Sequence, residues 1–143
     1  MTTRAQVVAE ARSWLGTPWV HQHQTKGVAV DCAQHLIAVA QACGFVSPVL
    51  KVQDYGREPN GTILKLCSEH MDPIRQSDML PGDVVVVMVE HQPQHLGIVA
   101  DYLHGGLSVV HASNSSRKEV IESRLVFMRG FRFVAAYRFR GIE

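Results

Sequence analysis

Neither sign of charge prevails in this chain: 14 Lys and Arg stand against 13 Asp and Glu in 143 residues. That balance leaves no global basic field to draw in nucleic acid, so no nucleic-acid partner is expected. Cysteine is scarce and odd in number, three in all, with no framework spacing, which argues against a disulfide scaffold. Long hydrophobic runs are missing too. The longest aliphatic stretch, Val84 to Val89, is six residues, far below the roughly 20 that span a bilayer, so no membrane insertion is expected. Residues 1–16, MTTRAQVVAEARSWLG, alternate charge with apolar side chains and lack the unbroken apolar core of a signal peptide. Synthesis in a reducing cytoplasm without a signal peptide is therefore expected, with any export by another route. The chain has no repeat, low-complexity tract or linker. With 46% hydrophobic and 19% charged residues it reads as globular, and its length predicts one domain over residues 1–143.

What is present centres on Val30 to Gly44, VDCAQHLIAVAQACG. Asp31 is a good N-cap, and Gln34 stands where a capping-box partner belongs. Ala33, Leu36, Ile37, Ala40 and Cys43 recur at helical spacing and form one apolar face. Gly44 supplies a left-handed stop. Cys32 thus falls at the first helical position, where unpaired backbone N–H groups and the positive end of the macrodipole favour a thiolate, the nucleophilic form. Cys43 and Cys67, among apolar neighbours, read as small structural hydrophobes.

Upstream, Thr3 and Gln6 form a second capping box that opens a helix to about Leu15. Its stripe of Val7, Ala11 and Leu15, with Val8 and Trp14 alongside, should pack on the core. Gly16-Thr17-Pro18 ends it, and residues 19–30 form a loop with a turn at Gly27. Asp54 to Gly61 is turn-rich, and Thr62 to Met71 reads as a short helix. Pro81-Gly82-Asp83 turns into the strand Val84 to Val89, followed by a polar connection at His91 to Gln94. Further strands are expected at His95–Tyr102, Leu107–Ala112, Glu119–Ile121 and Phe133–Phe139. Helices first and an antiparallel meander afterwards make an α+β pattern.

Eight histidines are many for this length, and most need no catalytic role. His95 and His111 differ because of where the meander puts them. A three-residue hairpin loop, Leu103-His104-Gly105, would set both on the same face of the sheet as diagonal neighbours. A two-residue Gly105-Gly106 turn would put them on opposite faces. The sequence leaves both turns open. In the first case His95 can serve as base to Cys32 while His111 holds its ring, the nucleophile–base–orienter logic of cysteine hydrolases. The Cys32 backbone N–H would then help form an oxyanion hole. Metal binding competes through His21-x-His23, Cys67-x-x-His70 and His91-x3-His95. Pro93 disfavours a helix across the last pair, and the other two lack a matching second pair, so neither metal nor cofactor is expected.

These residues together resemble the NlpC (NlpC/p-sixty) family of papain-like cysteine peptidases that cut bacterial cell-wall peptides. The similarity runs over nearly the whole chain. It rests on Gly16-Thr17-Pro18-Trp19, Asp31-Cys32, Pro81-Gly82-Asp83, His95-Leu96-Gly97-Ile98 and Val110-His111-Ala112-Ser113, in the family's order. The resemblance implies a papain-like α+β fold with N-terminal helices and a central antiparallel sheet. It implies a catalytic Cys32, His95 and His111, with Trp19, Asp31 and Ala33 bordering the substrate. That substrate would be a peptidoglycan stem peptide, cut next to D-glutamate, commonly at the bond to diaminopimelate, and Asp31 would face its free amine. The His-Gln after Trp19 and the lack of a signal peptide look most like the bacteriophage-associated branch, which implies phage tail proteins as partners and a virion tail acting at the cell wall. Three positions depart from the family pattern. Ala33 and Gln34 replace the usual serine and glycine, and Trp19 replaces a tyrosine, its indole donating but unable to accept. Those departures give weight to an alternative, a tail-tip assembly or wall-binding component that keeps the fold with little or no hydrolysis.

Overall fold

The structure is a computed structural model that describes residues 2–52, 55, 61–89, 92–115, 117–127 and 130–143, with backbone only at 92 and 93. Helix α1 (Arg4–Arg12) opens on the expected reciprocal capping box between Thr3 and Gln6. It stops one turn earlier than expected, so Leu15 leaves the stripe and is 46% exposed while Val7, Val8, Ala11 and Trp14 are buried. The chain turns there because the Gly16 N–H is taken by Val120 O at 2.9 Å rather than by the helix. The loop after Trp19 contains a small ribbon, β1 (Gln24–Thr25) against β2 (Ala29–Val30).

Helix α2 (Cys32–Ala42) is the central one. Its end is a Schellman motif: Phe45 N–H reaches Ala40 O at 2.9 Å and Gly44 N–H reaches Gln41 O at 3.2 Å, with Gly44 at φ 81°. Its burial is not confined to one face. Every residue from Ala33 to Ala40 is buried, Gln34 and His35 included, because sheet, α1 and the loops before and after the helix enclose it.

Helix α3 (Thr62–His70) leads into a strand not expected from sequence, β3 (Met71–Ile74). It carries Pro73, which argues against a central strand, and β3 is in fact at the sheet edge, where proline is tolerated. A 3₁₀ turn (Gln76–Asp78) follows, then β4 (Val84–Val89), β5 (Gln92–Asp101), β6 (Leu107–Ala112), β7 (Val120–Arg124) and β8 (Phe131–Phe139). The expected connection at His91–Gln94 is shorter, since β5 already includes Gln92, and His91 lies outside the described residues. Of the expected turn at 54–61, only Tyr55 and Gly61 are described.

The six strands are antiparallel neighbours in the order β3-β8-β4-β5-β6-β7. A meander holds for β4 to β7; β8 departs from it by returning to pair with both β4 and β3. That return puts β4 in the interior, which is why Val84 to Val87 read as a continuous apolar run rather than an alternation: all four are 0–1% exposed. Val84, Val86, Leu96, Ile98 and Ala100 join α1 and α2 in the larger core, while Val85, Val87, Val99 and Val109 pack with Phe131 on the other face. Asp83, 0% exposed, ties the Pro81-Gly82-Asp83 turn to both ends of the chain. Its carboxylate accepts from Arg4 Nη1 at 2.9 Å, from Arg138 Nε and Nη2 at 3.0 and 2.9 Å, and from Leu80 N–H at 2.9 Å.

Candidate active site

The N-terminus of α2 is held by Asp31, which is 2% exposed. One carboxylate oxygen accepts from Gln34 N–H at 2.8 Å, the cap that was expected. The box is not completed, because the Gln34 amide turns away to donate to Val52 O at 2.7 Å and to Tyr55 Oη at 3.1 Å. The second Asp31 oxygen accepts from Tyr55 Oη and from Gln22 N–H, both at 2.7 Å. His21 Nδ1 stands 3.7 Å from it. Asp31 therefore fastens the His21-Gln22 turn and Tyr55 to the start of the helix.

Cys32 sits at the first helical position, half-buried, and all three cysteines are free thiols. Burial pushes its thiol up to about 11, and the Asp31 charge adds to this, against the opposing pull of the Leu96, Ala33 and Cys32 backbone N–H groups. The expectation that the helix N-terminus would favour a standing thiolate is thus reversed: desolvation of the charged form outweighs the few N–H groups aimed at the sulfur. Cys67, 0% exposed, is pushed up further, to about 12, and Cys43 also rises.

The β5–β6 turn is the three-residue one. Tyr102 N–H bonds to Gly106 O at 3.1 Å, Gly105 lies at φ 94°, and the register pairs Ile98 with Val110 and Asp101 with Leu107. His95 and His111 consequently meet, His95 Nε2 lying 2.7 Å from His111 Nδ1 with the rings edge-on. Each is 4% exposed. Gly97 makes room for them: an added Cβ would collide with Val109 Cγ2 and sit 3.2 Å from His111 Cβ. Beyond His111, its Nε2 is 3.1 Å from Ser123 Oγ. The two histidines, Ser113, Ser123 and Phe131 border a concave space of about 140 Å³, which Cys32 does not line. Burial lowers His95 to about 3, with further pushes from His111 and His35, and lowers His111 to about 4. Both rings are neutral at ordinary pH.

Helix α2 packs on β5 and β6, and the Leu96 N–H facing the Cys32 sulfur belongs to the residue next to His95. Among the described residues no hydrogen bond joins the thiol to the His95 ring. Trp19 is half-buried, its backbone N–H bonded to Lys118 O at 2.8 Å and its ring 6.4 Å from that of His21. Ala33 is 1% exposed, so its methyl belongs to the core. Sequence reasoning missed Tyr55, Ser123 and the close approach at Gly97. Tyr55 lies in an irregular stretch that gives no periodic signal, whereas Ser123 follows from the strand register once β7 is known to run to Arg124. Among the described residues no three His, Cys, Asp or Glu side chains gather to hold a metal ion. His91 is outside them. His35, 1% exposed, bonds through Nε2 to Ala11 O at 3.2 Å and is a satisfied core histidine.

The helix that begins at Cys32 packs on the antiparallel sheet that carries both histidines, and solved structures show the same fold. The chain is similar to the NlpC/p60 domain of the peptidoglycan hydrolase SagA, with a TM-score of 0.67 and 19% identity over 96% of this chain and 100% of that one. It is also similar to NlpC2 from Trichomonas vaginalis, with a TM-score of 0.65 and 16% identity over 97% of this chain and 47% of that one. This chain is therefore an α+β protein with the NlpC/p60 fold. No protein-family model and no curated protein sequence matches it. Among the described residues no helix is long and apolar enough to cross a membrane.

Proposed function

We propose that this protein is a cysteine peptidase that hydrolyses peptidoglycan stem peptides, with Cys32 as nucleophile, His95 as general base and His111 as its orienter. The observation that carries this is the buried 2.7 Å bond from His95 to His111, on the strand whose Leu96 N–H faces the Cys32 sulfur. With Nε2 of His95 committed to His111, Nδ1 is the nitrogen left for the thiol. Because thiol and imidazole are both neutral at rest, the proton leaves Cys32 as the sulfur attacks the carbonyl, rather than from a preformed ion pair. The developing oxyanion meets the Cys32 backbone N–H. His95 then gives its proton to the departing amine, and water, with His95 again as base, hydrolyses the thioester.

The solved neighbour named as a peptidoglycan hydrolase supports the choice of substrate. We assign the D-glutamyl–diaminopimelate bond as the one cut from the resemblance to the family as a whole, and a phage tail as the setting from the His-Gln that follows Trp19. Trp19 and Asp31 border the substrate in this proposal, Ala33 contributing its backbone. A second reading, a wall-binding tail component without hydrolysis, is favoured by one observation: both Asp31 oxygens already hold donors of the protein itself. Incubation with purified peptidoglycan separates the two. New amino groups should appear with the native protein and be absent with Cys32→Ala; binding without release would favour the second.

A further inference from the structure

We propose that Ser123 is a positioning residue for the same site, acting through His111 to hold His95 in the tautomer that can accept a proton; this rests on His95 being the base. The observation is a diagonal row across three adjacent strands: His95 on β5, His111 on β6 and Ser123 on β7. In register, His111 stands opposite Ile121 and Val109 opposite Ser123. The side chain directly across from His111 is therefore apolar, and the hydroxyl two residues on is the group that reaches Nε2, at 3.1 Å.

A neutral imidazole carries one N–H and one bare nitrogen. For Nδ1 of His95 to receive the Cys32 proton, its N–H must be on Nε2, donating to His111 Nδ1 across 2.7 Å. His111 must then carry its own N–H on Nε2, and that proton points at Ser123 Oγ. The hydroxyl accepts it and turns its own proton toward the concave space that Ser123 and His111 share. The opposite direction, Ser123 donating, would end with His95 Nδ1–H aimed at a neutral thiol, a weak acceptor. Without the hydroxyl, the buried Nε2–H of His111 has no partner among the described residues. An unpaired buried donor is costly enough to move the ring proton to Nδ1. His95 would then be driven to the Nδ1–H tautomer, which cannot take a proton from Cys32 on that nitrogen.

Threonine and valine have nearly the same shape, and only the first keeps the hydroxyl. The test is therefore ring-¹⁵N spectroscopy at neutral pH on the native protein, Ser123→Thr and Ser123→Val, with Ser123→Ala as the fallback should the valine variant fail to fold. Native protein and Ser123→Thr should show both His95 and His111 as Nε2–H. Ser123→Val should shift His111 towards Nδ1–H. Its stem-peptide turnover should fall about tenfold at unchanged KM, well short of the ~10⁴ lost with the orienter itself in a serine protease. A native His111 found as Nδ1–H, or the same tautomers in Ser123→Val as in the native protein, would overturn the proposal. The ring measurement needs no substrate, so a tautomer shift in a protein inert towards peptidoglycan would sink the hydrolase reading and leave the role of Ser123 standing.

Discussion

Cys32 gains from its place at the start of α2 and loses from its burial. The N–H groups of Leu96, Ala33 and Cys32 pull its ionisation down, desolvation pushes it to about 11, and the second effect wins. In the proposed mechanism its reactivity therefore comes from a base rather than from a standing charge. Brief iodoacetamide labelling at neutral pH, read by mass spectrometry, should modify Cys32 before Cys43 and leave Cys67, which is 0% exposed, until last. In His95→Ala the rate at Cys32 should drop to that of an unassisted buried thiol. Preferential labelling of Cys43, with Cys32 indifferent to His95, would contradict the base role. The same contest explains why the first expectation for this residue failed. A cap and a helix start are local and show in four letters of sequence, whereas burial depends on everything that packs around them.

At the scale of elements, β5 and β6 do the positioning. Their hairpin loop decides whether His95 and His111 share a face, and the letters Leu103-His104-Gly105-Gly106 permit two answers. The structure settles on the three-residue loop because Gly105 takes the left-handed position and Tyr102 pairs with Gly106. Gly97 has another purpose. Its backbone conformation is one that any residue can adopt, but β6 lies too close for a side chain there. Gly97→Ala should displace Val109 and His111 and break the His95–His111 bond, at a cost of about 1–3 kcal/mol for overpacking. The chemical-denaturation midpoint should fall, and the ring-¹⁵N shifts of both histidines should change. Unaltered histidine signals would show that β6 can move without disturbing the pair. Helices α1 and α2, the strands β4 and β6 and the main motifs were legible because caps and apolar periodicity are local. Strand β3, the return of β8 and the brace at Tyr55 were not, since each depends on a partner far along the chain.

The whole molecule is closed by polar groups as well as by its two cores. Asp83 joins α1, β4 and β8 through Arg4 and Arg138. Asp83→Asn leaves two partly exposed guanidinium groups facing a neutral amide, and because solvent screens them the loss costs about 1–3 kcal/mol. Thermal unfolding should register it as a fall in Tm with the fold otherwise intact; an unchanged Tm would mean that the arginines find other acceptors. Acid sensitivity is a property of the molecule too. His35, His95 and His111 are pushed down from the ordinary 6.5 to about 4, 3 and 4. The unfolded chain therefore binds protons first as pH drops. The folded state should keep its full stability above pH 6.5 and lose it progressively as pH falls towards 4. Each histidine can contribute up to about 1.4 kcal/mol per pH unit. Urea midpoints at pH 7 and pH 5 measure this. Equal midpoints would show that the histidines are not buried neutral.

The measurement closest to the central claim is cleavage of a defined stem peptide by five proteins: native, Cys32→Ala, His95→Ala, His111→Ala and His111→Gln, each checked for folding by circular dichroism. Cys32→Ala and His95→Ala should both fall to background. His111→Ala should fall less far, and His111→Gln less far still, because an amide oxygen can accept from the His95 ring N–H. Turnover by a folded His95→Ala at the native rate would contradict the account, since no base would then be needed where the geometry puts one.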